Sequence, residues 1–138
     1  MRSQADKIMS MPATDYWFSL SIRRNRKSFL IATVSLWAVA IAVVLALVFF
    51  SVTDRVALFL GFIFGVPWVF VYWNLSAQRL RDFNVTGWLV LLWIPINLLQ
   101  GGYAELNAIL SLAFWIILLF VPGSRGENRY GADPLEEY

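Results

Sequence analysis

Long apolar runs alternate along this chain with short polar interruptions, and the run lengths indicate what each run does. Residues 29–50 form a stretch of 22 residues without a charge. As a helix rising 1.5 Å per residue it is roughly 33 Å long, enough to cross a hydrocarbon core with some tilt. It exceeds the apolar core of a signal peptide, about 7–15 residues, so it reads as an uncleaved anchor. A polar turn at residues 51–55 leads to residues 56–73, which are again charge-free. Pro67 lies inside this second run and is expected to kink its helix.

The longest polar interruption follows at residues 74–88, reading NLSAQRLRDFNVTGW. It reads as a loop that places Arg79, Arg81 and Asp82 beside Gly87 and Trp88. Beyond it, residues 87–121 contain a single charged side chain, Glu105. One helix of that length would overshoot a bilayer. The paired glycines of Gln100-Gly101-Gly102-Tyr103 mark the turn, because glycine accepts backbone angles that other residues resist. Two short helices result, residues 87–99, interrupted by Pro95 and carrying Asn97, and about residues 105–121. Both fall below about 20 residues, so a re-entrant hairpin stands beside the adopted reading of two full spans.

The pattern therefore predicts an all-α, polytopic membrane protein with four transmembrane helices. Residues 1–28 form a cytoplasmic and interfacial N-terminal segment, residues 29–121 the transmembrane domain, and residues 122–138 a cytoplasmic tail. Tyr16-Trp17-Phe18 ahead of Arg23-Arg24-Asn25-Arg26-Lys27 has the aromatic-then-cationic composition of an interfacial segment. The same charges also serve as topogenic flanks of the first span.

Composition agrees. The chain is 59% hydrophobic and 14% charged, against about 25% charged residues in soluble domains. Lys and Arg fall on one side: with four spans, the N-terminal segment, central loop and tail carry 6, 2 and 2 of them, and Arg55 alone lies opposite. That bias places both termini and the central loop in the cytoplasm. With no Cys and no His, thiolate chemistry and nearly every zinc or copper site are excluded. No cofactor, metal or nucleic-acid partner is expected. No nucleophile–base pair or phosphate-binding Gly loop stands out, so the chain reads as non-enzymatic.

Small residues suggest how the helices pack. Ala38, Ala42 and Ala46 recur every fourth residue, and Gly61 and Gly65 form a G-x-x-x-G pair. Both patterns let helices approach closely. Packing of the alanine face on the glycines is preferred over homodimerisation.

The cytoplasmic face gathers the remaining candidates: Arg79, Arg81, Asp82, Trp88, Asn128, Arg129 and Tyr130. Two loop arginines and two from the tail, Arg125 and Arg129, could grip an anion through the guanidinium fork. The simpler arrangement is a staple in which Asp82 pairs with Arg129, and Glu127 or Asp133 pairs with Arg79 or Arg81.

With these residues in view, the chain resembles the small bacterial inner-membrane proteins grouped as domain of unknown function 805. The resemblance rests on the entry Ile22-Arg23-Arg24-Asn25-Arg26-Lys27-Ser28-Phe29, on Gln78-Arg79-Leu80-Arg81-Asp82 followed by Gly87-Trp88 and Pro95, and on the close of the chain. That close runs Pro122-Gly123, then Gly126-Glu127-Asn128-Arg129-Tyr130-Gly131-Ala132-Asp133-Pro134. Gln78 stands where the family usually has Arg, and Arg81 where it has His. The resemblance implies four helices in the bacterial inner membrane and that the loop and tail motifs belong together. It implies no activity.

The leading expectation is an accessory or scaffold subunit of a larger membrane complex. Its partners would be membrane lipids, anionic ones included, and other integral membrane subunits or copies of itself. The alternatives are an anionic-lipid-binding protein and a small oligomeric transporter or channel with a polar path along Asn97, Gln100 and Glu105. A lipid-headgroup enzyme would need Asp82 and the arginines to be catalytic.

Overall fold

The computed structural model describes residues 17–19, 21–98, 103–131 and 133, with the backbone alone for residues 96–98. Among them the regular elements are all helical. They are α1 (Arg26–Phe49), α2 (Asp54–Asp82), a 3-10 stretch (Gly87–Leu92), α3 (Trp93–Leu98) and α4 (Ala104–Phe120). The turn expected at residues 100–102 and the side chain of Asn97 lie outside the described residues.

Local chemistry sets where the helices begin and end. The Asn25 side chain accepts from the Ser28 N–H at 2.8 Å, filling one of the orphan donors at the start of α1. α1 ends where Ser51 turns left-handed at φ 47°. The N–H groups of Ser51 and Val52 then reach back to the carbonyls of Val48 and Leu47. The end of α2 repeats the device with Asn84 at φ 62°. There Asn84 and Val85 donate to Arg81 and Leu80, and asparagine is among the residues that tolerate this conformation.

α2 corrects the reading of residues 74–88 as a loop. The helix passes through Pro67 without ending and continues beyond Trp73 to Asp82. Residues 74–80 are all buried. Polarity in this stretch means polar groups satisfied inside the protein, not a solvated connection. Pro95 likewise finds a tolerated place. It falls in the first turn of α3, where a missing N–H leaves no intrahelical bond unmade.

α1 and α2 are long and apolar enough to cross a membrane, by length and composition. α4, at 17 residues, is a shorter apolar helix. The packed core sits at one end, where Phe29, Leu75 and Leu118 are fully enclosed by α1, α2 and α4. A run of rings extends it outward. Trp115 stands 6.4 Å from Tyr72, Tyr72 stacks on Trp68 at 5.6 Å, and Trp68 meets Trp37 edge-on at 4.8 Å.

The expected alanine–glycine interface is not formed. Ala38, Ala42 and Ala46 are exposed. α1 instead presents Leu36, Ala40, Val43 and Leu47 to the groove containing Gly61 and Gly65. Phe29, Ala32 and Leu36, buried in the core, set the rotation of α1. Residue 38 lies two positions from residue 36, roughly 200° around a 3.6-residue turn, so the alanine stripe falls on the far side.

Candidate functional site

The packed end of the bundle, named the inner end for the orientation proposed below, is held by a buried polar knot centred on Arg23. Its Nε and Nη2 donate to Asp82 Oδ1 at 3.3 and 3.0 Å. Nη1 donates to the carbonyls of Gly126 and Gly131 at 2.8 and 3.0 Å, and Nη2 also reaches the Ser124 carbonyl at 2.7 Å. One guanidinium thus joins the entry segment, the end of α2 and the tail. Gly126 and Gly131 both have positive φ, at 71° and 124°. Glycine takes this conformation readily, and in it both residues present carbonyls to Arg23.

Arg79 completes the ion triad. Its Nη1 pairs with Asp82 Oδ2. Its Nε and Nη2 donate to the carbonyls of Leu118 and Val121 at the end of α4, which the finished helix leaves without internal partners. A cation at a helix C-terminus is also favoured by the helix dipole. The guanidinium lies 4.4 Å above the Phe83 ring. One side chain thus ties the end of α2 to the end of α4.

The backbone of Asp82 is used as fully as its carboxylate, accepting from the Ser124 N–H at 2.7 Å and the Ser124 hydroxyl at 3.0 Å. Gly123 packs directly on that carboxylate, and a Cβ there would stand 2.1 Å from Asp82 Oδ2. Only glycine fits. Beyond the apolar stretch at residues 56–73, burial shifts three titrating groups. It raises the Asp82 carboxyl from its ordinary value, opposed by Arg79 and Arg23. It lowers Arg79, opposed by Asp82, and lowers Arg81, opposed by Tyr130.

Five further hydrogen bonds fasten the entry segment and tail. Arg24 donates to the Gln78 side chain and the Ser28 hydroxyl, both at 2.7 Å. Gln78 in turn donates to the Ser19 carbonyl at 2.7 Å. Asn128 donates to the Arg81 carbonyl at 3.0 Å and to the Ser124 hydroxyl at 2.9 Å.

The structure thus brings Arg79, Asp82 and Asn128 together but rearranges the expected staple. Asp82 pairs with Arg23 and Arg79, not with Arg129. Arg129 is exposed; it donates to the Asn84 carbonyl at 2.7 Å and lies 4.8 Å over the Tyr130 ring. Asp133 accepts from the Gly126 N–H at 2.9 Å. Arg81 is half-buried over Gly87, and its Nη1 has no hydrogen-bond partner. Trp88 is exposed, outside the knot. Because Arg79 is used internally and Arg129 is bound elsewhere, the four-arginine anion grip does not assemble. Of the supposed polar path, Glu105 is exposed in the first turn of α4 and Gln100 lies outside the described residues.

Sequence reasoning missed Arg23, Arg24 and Gln78 as members of this centre. The signal was present in the polar motifs: entry, loop and tail formed three, and only the last two were joined. Reading Arg23 and Arg24 as topogenic charges gave them a sufficient role in solvent and hid the one they have inside.

No curated protein and no solved structure matches the chain. A family model matches residues 17–132, which take in the entry arginines, the end of α2 and nearly all of the tail knot. On that match the chain belongs to the family described as protein of unknown function (DUF805).

Proposed function

We propose that this is a non-enzymatic protein of the bacterial inner membrane, with four crossings and both termini in the cytoplasm. It acts as an accessory or scaffold subunit, packing the outer halves of α1 and α2 against a larger membrane complex. The observation that carries this reading is the open space at Gly61 and Gly65, where an added Cβ would meet nothing within 4 Å. Exposure to lipid alone demands no partner, because acyl chains are as apolar as leucine. A bare glycine pair beside an apolar groove of about 510 Å³ is different, since it offers backbone for a partner helix to approach closely.

The chain returns to the level it left, as two further crossings and a re-entrant hairpin both require. Gly87 lies against Arg81, and the Val121 carbonyl is bound by Arg79, so the segment between them leaves and re-enters at one level. The 3-10 rise of about 2.0 Å per residue also lengthens the third segment relative to an α-helix of equal count. The orientation rests on the ten-to-one distribution of Lys and Arg. An enzymatic role for Asp82 is disfavoured because both carboxylate oxygens are bound by arginines.

The test is native mass spectrometry on protein extracted from its own membrane with a lipid-retaining polymer. A defined integral membrane partner at fixed stoichiometry, lost in the Gly61→Leu, Gly65→Leu double variant, is expected. Recovery of the chain alone, or only as a homo-oligomer, would overturn the subunit reading.

A further inference from the structure

Beside the knot lies a cavity of about 220 Å³ that the knot itself does not use, lined in part by Asn25, Arg26, Asp82, Ser124, Arg125 and Asp133. A water's share of liquid volume is about 30 Å³, so the space admits several waters or one group of phosphate size. Its lining carries two arginines, Arg26 and Arg125, and two carboxylates, Asp82 and Asp133. The two carboxylates that reach it are already engaged, Asp82 by two arginines and Asp133 by the Gly126 N–H.

Apart from Arg81, half-buried over Gly87, the arginines at this end fall into two groups. Arg23, Arg24, Arg79 and Arg129 donate to oxygens of the chain. Arg26 and Arg125 are exposed, and neither makes an ion pair or side-chain hydrogen bond among the described residues. They come from different elements, α1 and the tail, yet line one cavity. Guanidinium forks match the oxygens of a phosphate. Arg26 also precedes the charge-free stretch at residues 29–50 by three positions, about 4.5 Å along a helix. In the membrane reading that is headgroup depth.

We propose that this cavity binds one phosphate-bearing anion, held by Arg26 and Arg125 and presented by a lipid headgroup or by a free phosphate compound. The saturated knot behind it serves as a rigid wall. The site is separate from the outer-half surface of the subunit reading and stands or falls independently of it.

The experiment uses the purified full chain in non-ionic detergent at fixed ionic strength. One arm adds phosphatidylglycerol to the micelles, with diacylglycerol as reference, and the other adds inorganic phosphate. Melting temperature and the mass of retained ligand are read in both. A saturable rise is expected, with one bound anion per chain, weakened at least tenfold in the Arg26→Gln, Arg125→Gln double variant. Lys27→Gln, which removes a neighbouring charge outside the cavity, should keep the response. Saturation with phosphatidylglycerol alone identifies a lipid source; saturation with inorganic phosphate identifies a free one. If the double variant does not fold, Arg125→Gln alone gives the comparison from a position outside every helix. No saturable response to either probe would overturn the proposal, as would an undiminished response in the arginine variants. Equal loss in Lys27→Gln would reduce the effect to diffuse surface charge and would overturn it too.

Discussion

The two long helices are packed at one end and open at the other. Between Trp37 and Phe70, which takes in the outer half of α1, the connecting turn and the outer part of α2, no residue is buried. At the inner end, residues 74–80 are buried without exception, and Arg23, Arg24 and Asp82 are buried with them. The more polar end is the better enclosed. In the membrane reading, lipid solvates apolar side chains without help, so the open half gains little by closing. A polar group withdrawn from water must instead find a partner, which the inner end supplies in backbone carbonyls, amides and opposite charges. The fold is therefore held by its least hydrophobic segment.

Arg23→Ala tests that contrast most severely. Removing one member of a buried ion pair costs about 3–5 kcal/mol, and this side chain also binds three tail carbonyls. Thermal unfolding in detergent should show a loss of that size. Asp82→Ala should be comparably damaging, and the double variant should fall well short of the sum because the residues share one network. Additive losses would mean that the knot is not a unit.

Gly123→Ala is the next largest. Its new methyl group would overlap the Asp82 carboxylate, and overpacking of this kind typically costs about 1–3 kcal/mol. The loss should shrink sharply in an Asp82→Ala background, measured by the same unfolding assay. An unchanged loss would show that Gly123 is needed for its own backbone and not for the contact.

How much of this was legible follows from the kind of signal each region carries. α1 and the apolar part of α2 could be read directly, because a long charge-free run has few other uses. The continuation of α2 could not, because Asn74, Gln78, Arg79 and Asp82 look the same in sequence whether they face water or backbone carbonyls. Composition marks a residue as polar and is silent on where its partner lies. The association of loop with tail followed from their motifs, yet the identity of the pairs depended on Arg23, 59 residues before Asp82. The alanine stripe failed for a related reason. Small residues show where an approach is allowed, while Phe29 and Leu36 determine which face of α1 turns inward.

Arg129→Ala should have a smaller effect. The residue is exposed, with one bond to the Asn84 carbonyl and a ring contact with Tyr130, and exposed cation–π contacts contribute about 0.5–1 kcal/mol. A loss near that size, and additive with Asp82→Ala, is expected from paired melts. A loss matching that of Arg23→Ala would place Arg129 inside the knot after all.

Gly61→Ala gives the smallest effect and reverses the sign of the change at Gly123. Both substitutions add one methyl group to a glycine, but the methyl at Gly61 enters open space. What remains is the conformational freedom that glycine loses on folding, and relieving it stabilises by about 0.4–1 kcal/mol where the geometry is compatible. The isolated protein should therefore melt slightly higher. On the subunit reading, the same methyl group stands where a partner helix would approach in the native membrane, so retention of that partner should fall. Higher stability with weaker association would separate the end that holds the fold from the end that the subunit reading assigns to a partner. A lower melting temperature for the isolated chain would instead mean that its own helices close over Gly61, and the contrast between the two ends would fail.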